Sequence, residues 1–194
     1  MMQRDQCFRA LARHVSDEVV VATYSSAVDW LALGERVLNY FSVGAMGLDS
    51  SHAPGLALGE PQRRVICLQG DGSLLMNLGS LVTIAAAAPK NLVHFVVQNG
   101  TYEANGSHPI PNTNVDFSAM ARAAGYAHVH EFSELANFEQ QAGHVLKQAG
   151  PVFATLHVER AKPLTYDYAD LYDPARRAAL KAALREARPS SIVI

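Results

Sequence analysis

The stretch Val65-Ile66-Cys67-Leu68-Gln69-Gly70-Asp71-Gly72-Ser73 decides the fold, because an apolar run ends there in a glycine-rich turn. A second apolar run, Leu92 to Val97, ends at Asn99-Gly100-Thr101. This pattern is typical of two buried parallel strands that are joined by one helix. The carboxylate of Asp71 and the carboxamide of Asn99 then lie at the C-terminal ends of neighbouring strands, the edge at which open α/β sheets bind ligands.

The two polar side chains suit a hard divalent cation. Mg²⁺ prefers oxygen ligands and usually shares them with a phosphate group. Gly70 and Gly72 allow the backbone to come close to that phosphate, and the helix that follows directs free N–H groups toward it. The pattern therefore indicates a metal–diphosphate site, with a helix-capping Asp71 and a turn residue Asn99 as the alternative.

These residues resemble the thiamine diphosphate (ThDP) enzymes, whose signature is Gly-Asp-Gly followed after a spacer by Asn. Val43-Gly44-Ala45-Met46-Gly47-Leu48 and Ala88-Pro89-Lys90-Asn91-Leu92 extend the match and look like the β subunit of sulfopyruvate and phosphonopyruvate decarboxylases. The resemblance covers residues 1–162. It implies ThDP and Mg²⁺, or another hard divalent cation, as cofactors and a small 2-oxo acid as substrate.

The resemblance also assigns roles to single residues. The metal ligands it implies are the side chains of Asp71 and Asn99 and the carbonyl of Thr101. Ser73 and the N–H groups of Gly72 and Ser73 would hold the diphosphate, whereas Asn77, one turn further on, is left undecided. The full cofactor-binding set that it implies is Gly44, Met46, Gly70, Asp71, Gly72, Ser73, Asn99, Thr101 and Tyr102.

Gly44-Ala45-Met46-Gly47 resembles the family segment that lies beneath the two rings of the cofactor. Met46 would be the apolar wedge that bends the rings into a V, since an unbranched, polarizable side chain suits such a contact. Gly44 would offer its carbonyl to the 4′-amino group. A plain core methionine is the alternative interpretation of Met46.

The loop from Tyr102 to Pro111 departs from the related decarboxylases, which tend to have Tyr-x-Ser-Thr-Gly-x-Gln there. This chain has Tyr102-Glu103-Ala104-Asn105-Gly106-Ser107-His108. By position, Asn105 and His108 would be catalytic residues that contact substrate, and His108 could shuttle a proton at neutral pH. A loop histidine without a role is the alternative.

The family also needs a glutamate on a separate pyrimidine-binding domain, and the sequence has room only for the diphosphate-binding half. We therefore expect an active site at an interface, completed by a separate α subunit. We expect the chain itself to form a homodimer or to be part of a higher hetero-oligomer. The chain alone would then bind metal and diphosphate weakly. Two rivals remain: a subunit of a split acetolactate-synthase-like carboligase, which would release a 2-hydroxy ketone rather than an aldehyde, and a non-catalytic structural subunit.

The alternation of patterns predicts an α/β fold with a doubly wound parallel sheet and helices on both faces. We expect a diphosphate-binding domain over residues 1–162 and a tail over 163–194, which packs either on its own domain or on a partner subunit. The predicted strands cover 18–23, 64–68, 92–98, 128–132 and 152–158. The predicted helices cover 5–15, 27–33, 55–58, 73–88, 116–124, 134–148 and 174–188.

Composition excludes several classes of protein. The 194 residues carry a formal net charge of −2 without a basic run, which argues against a nucleic-acid partner. No apolar stretch is long enough to span a membrane, and the N-terminus lacks the apolar core of a signal peptide. Cys7 and Cys67 are too few for a disulfide framework. These features predict a cytoplasmic protein.

Overall fold

The computed structural model describes residues 1–42, 44–161 and 165–186. Within them, six parallel strands form one sheet in the order β2-β1-β3-β4-β8-β7, and a short antiparallel hairpin, β5–β6, lies apart. The strands are β1 (Val19–Ala22), β2 (Asn39–Phe41), β3 (Val65–Gly70), β4 (Leu92–Gln98), β5 (Thr101–Tyr102), β6 (His108–Pro109), β7 (His128–Phe132) and β8 (Val152–His157). The predicted doubly wound parallel sheet is confirmed.

Helices cover both faces of the sheet. They are α1 (Arg4–Ala12), α2 (Tyr24–Leu31), α3 (Asp49–Gly59), α4 (Asp71–Met76), α5 (Ser80–Ala87), α6 (Phe117–Ala124), α7 (Leu135–Lys147), α8 (Tyr168–Leu171) and α9 (Pro174–Glu186). On one face α1 packs against α2 and α7, and on the other α5 packs against α3 and α6. Two hydrophobic cores result, one on each side of the sheet.

Strand β3 shows how the apolar run builds both cores. Successive side chains of a strand point to opposite faces. Ile66 and Leu68 accordingly enter the core beneath α1, α2 and α7, whereas Val65 and Cys67 enter the core beneath α3, α5 and α6. A strand buried on both faces therefore has no polar alternation, as parallel sheets require.

The pairing of β3 with β4 positions the candidate site. Gly70 lies opposite Val97 in the register of the two parallel strands. Both strands therefore end at nearly the same level, and the turns that carry Asp71 and Asn99 meet at the C-terminal edge of the sheet. The sequence predicted this juxtaposition, and the register is its physical cause.

One local prediction was wrong, and two features of the chain were not predicted. The single helix expected over 73–88 begins at Asp71 and is broken at 77–79 into α4 and α5. Asn77 and Gly79 are weak helix formers, and the Asn77 side chain donates to the Gly47 carbonyl instead. No strand was predicted at the position of β2, and most of the loop from Tyr102 to Pro111 belongs to the β5–β6 hairpin, which closes around a 3₁₀ turn at Glu103–Asn105.

The N-terminal residues and the described part of the tail both contribute to this domain. Phe8 and Leu11 of α1 are fully buried, and Met2 forms an isolated parallel bridge with Val158. The expected domain boundary, between 162 and 163, and the predicted end of the last helix at Arg188 lie outside the described residues. The described part of the tail packs on its own domain: Leu180 of α9 is buried, and the Arg176 guanidinium lies 5.7 Å from the centroid of the Phe41 ring in β2.

Candidate functional site

A narrow cleft lies at the C-terminal edge of β3 and β4, between the start of α2 and the β5–β6 hairpin. Its cavity volume is about 40 Å³. The predicted site residues that line it are Met46, Gly70, Asp71, Gly72, Ser73, Asn99, Thr101 and Tyr102. The structure thus brings most of the predicted cofactor-binding set together in one place.

Asp71 is the first residue of α4 and is almost fully buried. Its Oδ2 accepts hydrogen bonds from the backbone N–H groups of Gly100, at 2.7 Å, and Asn99, at 3.1 Å, while Oδ1 accepts from Gly72 at 2.8 Å. Burial raises the pKa of Asp71 to about 6, and these N–H groups oppose the rise. Because an ionised carboxylate offers about four acceptor positions, the side chain ties the two turns together and keeps one position for a cation.

The carboxamide of Asn99 has a single orientation. Its Oδ1 accepts from the N–H and the hydroxyl of Thr101, at 2.9 and 3.0 Å, and its Nδ2 donates to Glu103 Oε2 at 3.0 Å. A backbone N–H can only donate and a carboxylate can only accept, so the amide cannot be flipped. A cation at Oδ1 would have to displace the Thr101 hydroxyl, which is free to rotate.

Sequence reasoning missed a buried ionic cluster at the wall of the cleft. Arg4 of α1 is only 5% exposed, and its guanidinium pairs with both carboxylate oxygens of Glu103 while Nε donates to Asp29 at 2.7 Å. Since Glu103 also accepts from Asn99, the cluster reaches the candidate metal ligand. No local motif relates positions 4, 29 and 103, and no signal in the sequence could have found them.

Gly72 gives the clearest reason for a glycine in the motif. A Cβ at this position would lie 2.5 Å from Cδ1 and 2.9 Å from Cε1 of the Tyr102 ring. Tyr102 can therefore rest on the turn only because residue 72 has no side chain. The contact seats the β5–β6 hairpin against the start of α4.

Two segments of the predicted site meet at Gly47, which has a φ of +93°. Its N–H donates to Ser73 Oγ at 3.0 Å, and its carbonyl accepts from Asn77 Nδ2 at 2.9 Å. Asn77, left undecided from the sequence, thus holds the Gly44–Gly47 segment. The Ser73 hydroxyl also faces inward, which leaves the backbone N–H of Ser73 for the predicted contact with a diphosphate.

Three predicted residues do not line the cleft. Gly44 is exposed and has the hydroxyl of Tyr172, from the C-terminal segment, close to its Cα: a Cβ there would lie 2.8 Å from that oxygen. Asn105 ends the 3₁₀ turn and His108 begins β6, and both are exposed. The structure therefore does not bring Asn105 or His108 to Asp71.

The residues present fit a hard divalent cation with a phosphate group. A buried carboxylate and an oriented carboxamide oxygen, at Asp71 and Asn99, are the kind of oxygen donors that such a cation requires, and the backbone N–H of Ser73 lies beside them at the start of α4. The cleft does not fit the whole cofactor, because pockets for ligands of that size enclose roughly 300–1,000 Å³.

No helix in the described part of the chain has the length and apolar content to cross a bilayer.

Comparison with known proteins decides the family. The model of the C-terminal TPP-binding domain of thiamine pyrophosphate enzymes matches residues 21–156. The chain belongs to this family. Thiamine pyrophosphate is another name for ThDP, so the predicted family and cofactor class are confirmed.

Relatives of this TPP-binding domain include decarboxylases of two kinds. The β subunit of sulfopyruvate decarboxylase from Methanothermobacter thermautotrophicus is 35% identical over 160 residues, which is 82% of this chain and 83% of that protein. Phosphonopyruvate decarboxylase from Streptomyces viridochromogenes is 38% identical over 151 residues, 77% of this chain but only 38% of that protein. The chain therefore spans well under half the length of the latter relative.

Solved structures share the fold of the TPP-binding domain. The crystal structure of benzoylformate decarboxylase from Polynucleobacter necessarius superposes with a TM-score of 0.67 at 22% identity. The superposition covers 82% of this chain and 34% of that one.

Asp49, the first residue of α3, is a fully buried carboxyl directly behind the Gly44–Gly47 segment. Burial raises its pKa to about 7 from an ordinary value of 3.8. As pH rises the unfolded chain therefore ionises first, and folding stability falls between about pH 4 and pH 7 before it levels off. At about 1.4 kcal/mol per pKa unit, the loss is on the order of 4 kcal/mol.

We expect Asp49→Asn to remove most of this pH dependence, because asparagine has no proton to lose. The measurement is the free energy of unfolding by urea at about pH 5 and about pH 8 for both proteins. The wild type should lose more stability than the variant over this interval, since all other groups titrate alike in the two. Parallel pH profiles would contradict the raised pKa.

Proposed function

We propose that this chain is the ThDP- and Mg²⁺-binding subunit of a heteromeric 2-oxo acid decarboxylase that resembles the sulfopyruvate and phosphonopyruvate enzymes. The observation that carries the proposal is the meeting of Asp71 and Asn99 at the ends of β3 and β4, where Asp71 binds the turn that carries Asn99, in a chain of the TPP-binding family.

In this proposal each residue of the cleft has a physical task. Asp71, Asn99 and the carbonyl of Thr101 hold the metal, and the Gly70–Ser73 turn holds the diphosphate. Met46 is half-buried in the cleft wall and supports the rings. The bound cofactor supplies a nucleophilic carbon and accepts the electrons left by the departing CO₂, while the protein supplies orientation.

Asn105 and His108 keep their predicted roles only if the complete enzyme brings substrate to the β5–β6 hairpin. Their exposure supports this arrangement, because a partner chain that covers the hairpin would enclose both side chains. His108 would then hold and deliver a proton from its imidazole. The cytoplasmic location likewise stays a prediction.

A separate pyrimidine-binding subunit is the second part of the proposal. The cleft of about 40 Å³ is too small to enclose the two rings together with the metal and the diphosphate, which supports a ring-binding surface that another domain completes. The Methanothermobacter relative, which this chain matches over most of its length, is named as a β subunit. Both observations support a shared active site in a hetero-oligomer.

The test is calorimetric titration of ThDP in the presence of Mg²⁺, first into this chain alone and then into its mixture with the proposed pyrimidine-binding chain, sought among the products of neighbouring genes. We expect weak binding by the chain alone and tight binding by the mixture, with both abolished by a chelator. A screen of 2-oxo acids for CO₂ release then identifies the substrate. An absence of binding in both titrations would refute the proposal.

Met46→Ala provides a prediction for the assembled enzyme. We expect ThDP still to bind through its diphosphate, but the exchange of its C2 proton to slow by roughly 100-fold, because misplaced reacting groups carry penalties of that size. Proton exchange followed by NMR measures the effect. Met120→Ala, which removes an exposed methionine of α6, is the matched control. Equal exchange rates in the two variants would contradict the wedge role.

A further inference from the structure

The proposed mechanism leaves the buried carboxyl of Asp49 unused. Its Oδ1 accepts from Gln69 Nε2 at 2.6 Å, from Ser73 Oγ at 3.1 Å and from the Ser50 N–H at 3.2 Å. Its Oδ2 has no hydrogen-bond partner among the described residues. A buried carboxyl with an unpaired oxygen is costly, and an apolar side chain would fill this space at lower cost.

The hydrogen bond from Ser73 indicates what the Asp49 carboxyl does. A serine hydroxyl has one hydrogen to donate. Ser73 donates it to Asp49, so the lone pairs of its oxygen are turned toward the N–H of Gly47. The hydrogen bonds thus run in one direction, from Gly47 to Ser73 to Asp49. Without an acceptor at position 49, the Ser73 hydroxyl is free to rotate away.

A second series of hydrogen bonds, in which each group donates to the next, ends on the same carboxyl. Burial lowers the pKa of His94 to about 3, so its ring is neutral. The ring lies 3.0 Å from the Tyr126 hydroxyl at Nδ1 and 2.7 Å from Gln69 Oε1 at Nε2. Gln69 must present Nε2 to Asp49, which makes His94 the donor to Oε1 and Tyr126 the donor to His94. Both series of hydrogen bonds therefore need an acceptor at Asp49.

Gly47 and Ser73 belong to the two halves of the candidate site. Gly47 closes the Gly44–Gly47 segment, proposed to lie beneath the rings, and Ser73 lies in α4, at the proposed diphosphate position. The two segments are in direct contact: the Gly47 N–H lies 3.0 Å from Ser73 Oγ, and a Cβ placed on Gly47 would lie 3.1 Å from the Ser73 carbonyl oxygen. Whatever fixes this contact sets the spacing between ring and diphosphate subsites.

We propose that Asp49 is the positioning residue that fixes this spacing, by holding the Ser73 hydroxyl as the acceptor for the Gly47 N–H. The inference rests on the proposed function for its effect on the cofactor, but the link itself is a property of this chain alone. It requires an acceptor oxygen at position 49 and not a charge, which separates it from a purely electrostatic role.

The test compares Asp49→Leu, which removes the acceptor but keeps the branching and the number of side-chain heavy atoms, with Asp49→Asn, which keeps the acceptor. Hydrogen exchange of the Gly47 amide is measured by NMR on the chain alone, with the core amide of Ile66 as an internal reference. ThDP binding with Mg²⁺ is then measured with the partner chain present. Ser118→Ala, which removes a buried hydroxyl bonded to Thr155 on another part of the sheet, is the control.

Loss of one hydrogen bond corresponds to about a tenfold change in an equilibrium constant. We expect Asp49→Leu to speed Gly47 exchange relative to Ile66 and to weaken ThDP binding, each by about tenfold, with Asp49→Asn and Ser118→Ala close to the wild type. If Asp49→Leu does not fold, Ser73→Ala breaks the same link and should show the same two effects.

Two results would overturn the inference: unchanged Gly47 exchange in Asp49→Leu or Ser73→Ala, or an Asp49→Asn variant as impaired as Asp49→Leu. A wild type that binds no ThDP with its partner refutes the proposed function instead. In that case the exchange data still decide whether Asp49 links the two segments.

Discussion

Asp71→Ala is expected to abolish Mg²⁺-dependent ThDP binding by the assembled enzyme. The loss should exceed the roughly 10–100-fold that removal of an outer-shell partner costs a metal site, because the variant lacks a proposed ligand and also the acceptor that holds the Asn99 and Gly100 N–H groups. The turn that carries Asn99 would then be released together with the metal. Calorimetry with and without Mg²⁺ measures the effect.

The control for Asp71 is another aspartate of the same chain. Asp116 Oδ1 accepts from the Ala119 N–H at 2.7 Å and caps α6 at the surface. Asp116→Ala should reduce folding stability by about 1 kcal/mol, as loss of an N-cap does, and leave cofactor binding intact. Mg²⁺-dependent binding that survives in Asp71→Ala would refute the metal assignment.

Gly72→Ala is expected to disrupt the site through sterics rather than through a lost ligand. The added methyl group would overlap the Tyr102 ring, so the ring must move and carry the β5–β6 hairpin away from α4. Overpacking of this kind costs about 1–3 kcal/mol. We expect a lower free energy of unfolding in the chain alone and a loss of ThDP binding in the assembled enzyme.

Two companion variants isolate the clash. Gly70→Ala alters the same turn, but a Cβ there meets no described atom within 4 Å, so the stability of the chain without cofactor should barely change. Gly72→Ala combined with Tyr102→Ala should be more stable than the sum of the single effects, because the clash is absent in the double variant. Strict additivity would show that Tyr102 is not the obstacle.

The sequence predicted β1 and β3 well because Val19–Ala22 and the first four residues of Val65–Gly70 are unbroken apolar runs. It did not predict β2, since Asn39-Tyr40-Phe41 is short and begins with a polar residue that pairs with Trp30. The break in the helix after Met76 depends on Gly47, which is distant along the chain. Local patterns contain no trace of such a contact.

The candidate site likewise contains residues that local sequence patterns predict and residues that they do not. Asp71 and Asn99 could be found because parallel strands of adjoining register end together, a rule that needs no coordinates. Arg4, Glu103 and Asp49 could not, because their partners lie in other elements and an isolated charged residue predicts nothing about burial. The exposure of Asn105 and His108 likewise depends on how the hairpin folds back over Gly72.

The N-terminal helix has a consequence for where this protein can be divided. The family match begins at residue 21, yet Phe8 and Leu11 fill one core, Met2 is bridged to Val158, and Arg4 anchors Glu103 at the cleft wall. A fragment trimmed to the family limits would lose the part of this core that α1 fills, and it would leave the largely buried carboxylate of Glu103 without the Arg4 guanidinium. The segment that the family model matches is therefore shorter than the segment whose residues build the core, and transplanting this domain requires the longer one.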